Sequence, residues 1–333
     1  MDTIRAYRDR DALNYSYIKR IIGASDIDDD ELVIAPGERK HITMGQLVDL
    51  MLSYPEELIN DNLYFYKYEK PSDTIIQIIY NAYTGSGDIT DDELLASIDK
   101  FGYVGNRSWD NQRKLQEVKS KGEDYINFLF TSKDKLIISE EEYATARLIL
   151  SNLKTNDNTK NLILAEGQHQ LPLYTTMYDV DCKALPDKLI FTDSTVQPID
   201  FKITSGSLQS WKYVARKFRY DIQASFYSSV LQAAYPFLEV LPFSFIVGSA
   251  NPNIKPYVYI CTDEDLSIGK MGFRRYRTIR YNESYKKTKT VEDILGWLQG
   301  LTIYKTLKEL NLTDTFDIQG HYNNRTENLN LWL

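Results

Sequence analysis

The chain has 333 residues, of which 43% are hydrophobic and 26% charged, and its formal net charge is −8. This balance is typical of a globular protein, and the negative charge disfavours a protein that coats nucleic acid, although a local basic groove stays compatible with it. No apolar run approaches the roughly 20 residues of a membrane span, and the N-terminus lacks the apolar core of a signal peptide. We therefore expect a cytoplasmic protein with no membrane partner.

Helical patterns dominate the first part of the chain, and strands appear in the middle. Amphipathic helices are predicted at 14–22, 43–53, 73–83, 90–100, 109–130 and 139–153. Strands are predicted at 162–165, 178–185, 188–192, 196–201, 243–247 and 257–261, and further helices at 207–217, 219–235, 263–280 and 290–299. The strands are short, β-rich in composition and bounded by turn residues.

This order predicts an α/β fold with a mixed central sheet flanked by helices and a helical N-terminal elaboration. Because no convincing linker interrupts the sequence, we expect residues 1–333 to form a single elaborated domain. Within it, residues 1–155 are mostly helical, residues 156–300 form the core, and residues 301–333 form a polar C-terminal tail.

Cysteine and histidine usage excludes the commonest cysteine-based cofactor sites. Cys182 and Cys261 are the only cysteines and form no C-x-x-C motif, so an iron–sulfur cluster with four cysteine ligands cannot be built. The three histidines lie far apart and lack the spacing of zinc ligands.

Two stretches are locally basic and contain interleaved aromatic residues. They run over 211–219 and 270–289. A solvated helix face and a contact with DNA phosphates are both compatible with such a pattern. The candidate DNA-binding residues are Lys212, Arg216, Lys217, Arg219, Arg274 and Arg275.

Two carboxylates and a lysine lie on consecutive predicted strands. Asp187 opens one strand, and Asp200 and Lys202 lie near the end of the next, two residues apart and therefore on one face. A hairpin can bring Asp187 beside them. Carboxylate oxygens are the ligands that Mg²⁺ prefers, and a bound metal can activate water for phosphodiester hydrolysis, while a lysine can stabilise developing negative charge.

These residues stand in motifs that resemble the PD-(D/E)XK nuclease superfamily, and within it the RecB-like and RecE-like exonucleases common in phages. Lys183–Leu189 resembles the strand that carries one metal-binding acid, and Ile199–Thr204 resembles the D-x-K strand. Gln223 and Tyr227 match the Q-x-x-x-Y motif of the RecB-like branch. The resemblance implies a PD-(D/E)XK core, with Asp187, Asp200, Lys202, Gln223 and Tyr227 as catalytic residues.

The same resemblance implies further metal ligands. Met44–Leu52 resembles a helix that supplies a histidine to the metal, and here Asp49 stands at the histidine position. Glu166 lies where relatives carry a glutamate, as a candidate for the metal shell. The implied cofactor is Mg²⁺ or Mn²⁺ without an iron–sulfur cluster, held by Asp187, Asp200, Asp49 and Glu166.

The function implied is a metal-dependent deoxyribonuclease, with an exonuclease on linear double-stranded DNA in phage-type recombination or DNA processing as the first hypothesis. The implied setting is the cytoplasm of a bacterial host, and the implied partners are DNA, further copies of the chain, and a single-strand annealing protein or recombinase. Two alternatives stay open. One is a structure-specific or single-strand endonuclease, and the other is a catalytically inactive nuclease-fold protein that binds nucleic acid or a protein partner.

Overall fold

The structure, a computed structural model, describes residues 2–23, 40–54, 59, 63–65, 71–83, 89–105, 109–132, 135–204, 208–280 and 287–310. These residues form two compact units. We call the first the sheet unit; its described residues fall within 2–23, 44–53 and 145–310. The second, the helical unit, takes those within 40–43 and 54–144.

The elements are numbered in chain order. Helices among the described residues are α1 (Asp2–Asp9), α2 (Tyr15–Ile21), α3 (Lys40–Ser53), α4 (Asp73–Ala82), α5 (Asp91–Lys100), α6 (Asn111–Thr131), α7 (Glu140–Thr155), α8 (Lys160–Leu164), α9 (Trp211–Lys217), α10 (Tyr220–Ala234), α11 (Asp263–Met271) and α12 (Trp297–Glu309). Strands are β1 (Leu63–Phe65), β2 (Leu136–Ile138), β3 (Gln168–His169), β4 (Leu173–Met177), β5 (Val180–Ala184), β6 (Lys188–Phe191), β7 (Thr195–Thr204), β8 (Glu239–Val240), β9 (Ser244–Ser249), β10 (Tyr257–Ile260), β11 (Phe273–Arg280) and β12 (Lys287–Ile294).

The sheet unit is built on a mixed sheet in the strand order β10-β9-β7-β6-β3, with β8 also pairing β7. Strand β7 runs antiparallel to β6 and parallel to β9. Burial is nearly continuous along the middle of β7, from Pro198 to Phe201, instead of alternating. Such a pattern is typical of a central strand that is covered on both faces. The prediction of a mixed α/β sheet flanked by helices is therefore confirmed.

Helix α10 contributes Ile222, Phe226 and Val230 to the core that it shares with this sheet. Its neighbour α11 approaches it closely at Gly269, where an added Cβ atom would lie 2.0 Å from the backbone oxygen of Asp221. Only glycine fits such a backbone approach. The contact fixes the start of α10, which matters because α10 carries Gln223 and Tyr227.

Two buried lysines anchor the chain on either side of Asp187. The Lys183 ammonium donates to the carbonyl oxygens of Tyr7, Arg8 and Arg10, at and just beyond the end of α1, at 2.5–3.0 Å. The Lys188 ammonium donates to the carbonyls of Leu162, Ile163 and Ala165, at the end of α8, at 2.6–3.0 Å. The last carbonyls of a helix lack intrahelical partners, and a cation there is favourable.

The helical unit has its own core. Helices α4, α5 and α6 pack around Ile75, Ile78, Ile79, Val118 and Phe128. Helix α5 begins with a capping box in which Thr90 and Glu93 satisfy each other's backbone N–H groups. Strands β1 and β2 form a short parallel pair beside these helices.

Several predicted elements were wrong in type or length. Residues 162–165 belong to helix α8 and its end, because their carbonyls are capped by Lys188 instead of pairing in a ladder. Helix 263–280 ends at Met271, since Gly272 has a φ of 75° and breaks it. The residues that follow form the β11–β12 hairpin, which also replaces the start of the predicted helix 290–299.

The segment boundaries predicted along the chain differ from the compact units in the structure. The sheet unit takes residues from the N-terminus and from α3, and helix α12 extends into the predicted tail as far as Glu309. Residues 311–333 of that tail lie outside the described residues. That the whole chain is one elaborated domain stays a prediction. Within the described part of the chain, no helix has the length and apolar character needed to cross a membrane.

Candidate active site

Asp187 and Asp200 meet across neighbouring antiparallel strands. The ladder pairs Lys188 with Ile199, so continuing it by one residue sets Asp187 opposite Asp200. The backbone N–H of Phe201 donates to Asp187 Oδ2 at 2.7 Å, which fixes this carboxylate against the end of β7. Asp200 is only 1% exposed. A buried carboxylate and a half-buried one are thus brought together.

Lys202 lies beside Asp200 on β7, and its ammonium forms an ion pair with Asp200 Oδ2. The Nζ atom also lies over two aromatic rings, 5.1 Å from the ring centre of Tyr220 and 5.9 Å from that of Phe245. Burial acts to lower the pKa of Lys202, but the neighbouring Asp200 and Asp187 carboxylates outweigh it and the pKa is raised. Lys202 is therefore held as a cation.

Gln223, on the first turns of α10, binds the other oxygen of Asp200. Its Nε2 atom donates to Asp200 Oδ1 at 2.6 Å, and the side chain is 5% exposed. The buried Gln223 Oε1 atom has no hydrogen-bond partner among the described groups. An unpaired buried acceptor costs free energy, and it leaves a place in the site for a donor such as a water molecule.

Tyr227 lies one helical turn after Gln223, on the same face of α10. It is 8% exposed, and its ring meets Tyr15 of α2 edge-on at 6.1 Å. Burial raises the pKa of Tyr227 well above its ordinary value, with the nearby Tyr7 hydroxyl and the Asp200 carboxylate adding to the shift. Tyr227 is therefore a neutral hydroxyl at the edge of the carboxylate site.

Asp49 of α3 joins the site and is held there by Gln170. The Gln170 Nε2 atom donates to Asp49 Oδ2 at 2.8 Å, while the Gln170 backbone N–H donates to the Asp187 carbonyl at 3.1 Å. Gln170 adopts a left-handed φ of 46°, which a non-glycine residue rarely does without compensating contacts. One strained residue thus links two of the candidate acids.

The three carboxylates repel one another. Burial and the Asp200 charge raise the pKa of Asp49 to about 6. Burial, Asp200 and Asp49 raise the pKa of Asp187 well above its ordinary value. Among the described residues, Lys202 is the ammonium in contact with Asp200, and a bound cation would favour the charged form of all three acids.

The donor set fits a hard divalent cation: three carboxylates and the unpaired amide oxygen of Gln223 are all oxygen donors. They are not a ready-made cage, because no group of three His, Cys, Asp or Glu side chains in the described residues has the arrangement of a metal site. Asp200 Oδ2 is ion-paired with Lys202, and Asp200 Oδ1 and Asp187 Oδ2 accept hydrogen bonds from Gln223 and Phe201.

Other predicted residues lie apart from this cluster. Glu166 is exposed, between α8 and β3, and is not among the described side chains that contact the three acids. Its role as a metal ligand stays a prediction.

The candidate DNA-binding residues divide into groups. Lys212, Arg216 and Lys217 are exposed on α9, and Arg274 is exposed on β11, where it pairs with Asp293 at 3.1 Å. Arg275 also belongs to β11, and its backbone pairs with that of Glu292 in β12.

Arg219 is different, because it is 6% exposed and donates to both Asp221 oxygens and to the Leu295 carbonyl at 2.9–3.2 Å. These contacts favour a structural role for Arg219.

Three contributors to the site were given no role from the sequence: Gln170, Tyr15 and Tyr220. Gln170 belongs to a short segment with no motif, so no local signal identifies it. Tyr15 and Tyr220 each stand at the first position of a helix. An aromatic residue there is ordinarily packing, and only the fold shows which of them reaches a charged group.

No protein-family model and no curated protein sequence matches this chain. Among solved structures, the chain is similar to a crystal structure of a candidate exonuclease from Eubacterium rectale. That similarity covers 71% of this chain and 80% of the other, with 16% sequence identity and a TM-score of 0.32. So distant a likeness carries no argument about activity, which must rest on the site itself.

Proposed function

We propose that this protein is a metal-dependent nuclease with a PD-(D/E)XK core that hydrolyses phosphodiester bonds in DNA. The carrying observation is the direct contact of Asp200 with both Lys202 and Gln223, beside Asp187 and Asp49. A purely structural core gains nothing from one buried and two half-buried acids that repel one another. The same grouping suits a site that binds a cation and a phosphodiester.

In this proposal Asp49, Asp187 and Asp200 would hold Mg²⁺ or Mn²⁺. When bound, the metal supplies Lewis acidity and lowers the pKa of a coordinated water. Asp187 is oriented by the Phe201 N–H and Asp49 by the Gln170 amide, and such supporting hydrogen bonds fix carboxylates in place. The free Gln223 Oε1 atom can accept a hydrogen bond from a water molecule and orient it.

Lys202 would stabilise the negative charge that develops on the phosphate oxygens. Its ammonium is kept charged by Asp200 and rests against the Tyr220 and Phe245 rings, which limit its movement. A preoriented cation in a site with little water acts far more strongly on developing charge than the same group in water. Exposed Lys212, Arg216 and Lys217 on α9 support DNA as the substrate, because cations of this kind bind phosphates.

The proposed mode is exonucleolytic attack on linear double-stranded DNA, in phage-type recombination or DNA processing, with homo-oligomers and an annealing protein or recombinase as proposed partners. The alternative is an endonuclease with the same core, and the topology of the DNA substrate distinguishes the two activities. A covalently closed circle resists an exonuclease and is cut by an endonuclease.

The test incubates the protein with linear and with closed circular DNA, in Mg²⁺ or in EDTA. We expect Mg²⁺-dependent loss of the linear DNA alone, and loss of activity in Asp200→Asn and Lys202→Met. An exposed-site variant, Asp193→Asn, serves as the matched control. Cleavage that persists in both site variants would place the chemistry elsewhere, and absence of cleavage in Mg²⁺ and Mn²⁺ would favour an inactive nuclease fold.

A further inference from the structure

Helix α9 presents a tyrosine to solvent among three cations. Tyr213 is 72% exposed, and Lys212, Arg216 and Lys217 are exposed around it. Residues three and four apart share a helix face, so this spacing gathers all four on the outward side. The helix contains no acidic residue in its sequence, Trp211–Lys217. We call these four residues the α9 platform.

The platform is joined to the candidate active site through stacked rings. Trp211, at the start of α9, is 2% exposed and stacks on Tyr220 with ring centres 5.5 Å apart. The Lys202 ammonium lies 5.1 Å from the centre of the same Tyr220 ring. Buried Trp211 therefore fixes α9 next to the aromatic support of Lys202, and the outward face of α9 is displayed beside the site.

An exposed aromatic ring surrounded by cations suits one class of ligand. A nucleobase has a flat face that stacks on a tyrosine ring, and its backbone carries a phosphate at each step for the surrounding cations. Bases in an intact duplex are already stacked on one another, so a tyrosine at the surface reaches only an unpaired base. The positive charge of the platform excludes a cationic ligand. The Tyr213 ring has no ring partner among the described residues.

We propose that Tyr213 stacks on an unpaired base of a single-stranded DNA segment, while Lys212, Arg216 and Lys217 contact its phosphates. The inference rests on the proposed nuclease function and specifies its substrate: the site engages DNA as a frayed or single-stranded end. A double-stranded end would then be opened by at least one base before its strand enters the site.

The test measures binding in EDTA, so that it is independent of cleavage. Single-stranded oligonucleotides carrying 2-aminopurine at successive positions report stacking by a loss of fluorescence, and anisotropy gives the affinity. We expect Tyr213→Ala to weaken single-strand binding by about tenfold and to abolish the fluorescence loss at one position. Tyr213→Phe and Tyr213→Trp should retain both, because stacking needs the ring and not the hydroxyl.

Phe237→Ala is the matched control, since Phe237 is an exposed aromatic residue (96%) outside the platform. Equal affinity and equal fluorescence in the wild type and Tyr213→Ala would overturn the proposal. So would an equal loss of affinity for single strands and for blunt duplexes that have cross-linked ends. Failure of the nuclease proposal would be seen in a different measurement. The wild type would then cut no DNA in Mg²⁺, whatever the binding result.

Discussion

The two units bury different kinds of side chain. Among the described residues of the helical unit, the buried polar side chains are those of Ser97 and Ser132, and the rest of its core is apolar. The sheet unit buries four charged residues, Lys183, Lys188, Asp200 and Arg219. Burying a charge is costly unless it is paired, so each of these needs an explanation that the helical core does not.

The partners divide those charges into two classes. Lys183 and Lys188 each donate to three backbone carbonyls, and Arg219 donates to Asp221 and to Leu295. Such saturated charges are structural. Asp200 instead lies in a cluster where the acids outnumber the lysine. A buried charge with saturated partners indicates architecture, and one in an unbalanced cluster indicates a site.

Substitutions at the adjacent residues Asp187 and Lys188 should distinguish functional from structural charges most sharply. Asp187→Asn is expected to lower cleavage by about 10²-fold or more, since a metal contributes several kcal/mol of charge stabilisation. Its free energy of unfolding without metal should be unchanged or higher, because repulsion with Asp200 is removed. Cleavage rates and thermal unfolding of Asp187→Asn, with exposed Asp193→Asn beside it, check this; a large loss of stability would make Asp187 structural.

The helical core should respond only in stability. Ile79 is fully buried there, so Ile79→Ala should lower the free energy of unfolding by about 3 kcal/mol, and exposed Val104→Ala by much less. Metal affinity of the folded protein should not change. Urea denaturation also tests the prediction of one domain: a single shifted transition supports it, and a second transition that does not move contradicts it.

Lys188, next to Asp187, should behave oppositely. Lys188→Met leaves three helix-end carbonyls unpaired, which should cost about 2–3 kcal/mol of unfolding free energy, while metal binding by the folded protein persists. Half-exposed Lys160, whose ion pair with Asp157 lies at the surface, is the control, and Lys160→Met should stay within about 0.5 kcal/mol. Denaturation and calorimetric Mg²⁺ titration measure both quantities. If Lys188→Met lost metal affinity and kept its stability, the division into structural and functional charges would be wrong.

Gln170 should affect the site more than the fold. Gln170→Leu removes the hydrogen bond to Asp49, and loss of such a supporting contact typically weakens metal binding about tenfold. Gln168→Leu, at an exposed position two residues earlier, is the control. Calorimetry with Mg²⁺ gives the affinities, and circular dichroism gives the stability. Equal affinities would show that Asp49 is held without Gln170.

The smallest effect is a pH dependence of stability without metal. The pKa of Asp49 is raised to about 6 in the folded protein, so the folded state binds this proton more tightly than the unfolded chain. The stability from this group is therefore full below about pH 4 and is lost as the pH rises through about 6. Melting temperatures in EDTA should fall over this range, whereas the increase produced by Mg²⁺ should grow. The fall should be smaller in Asp49→Asn, where Asp187 is the remaining acid with a raised pKa.

Local pattern was enough for much of the fold and of the candidate site. Asp200 and Lys202 share a strand, and Gln223 and Tyr227 share a helix, so the spacing alone places each pair on one face. The strand β7 and the helix α10 were predicted because their patterns are strong and uninterrupted. The β11–β12 hairpin was not predicted, because its alternating basic and apolar residues also fit the end of a helix. Pairing across strands decides between a helix and a hairpin.

The amino-acid sequence by itself identified the residues of the candidate site: two acids and a lysine at strand ends, followed by a glutamine and a tyrosine at helical spacing. Only the tertiary structure decided which charges work as a group. It buried Lys183 and Lys188 against helix ends, turned Arg219 inward, and brought Asp49 and Gln170 to Asp187 from distant segments. The physical reason is that the pKa and the role of a charge depend on neighbours that lie far apart along the chain.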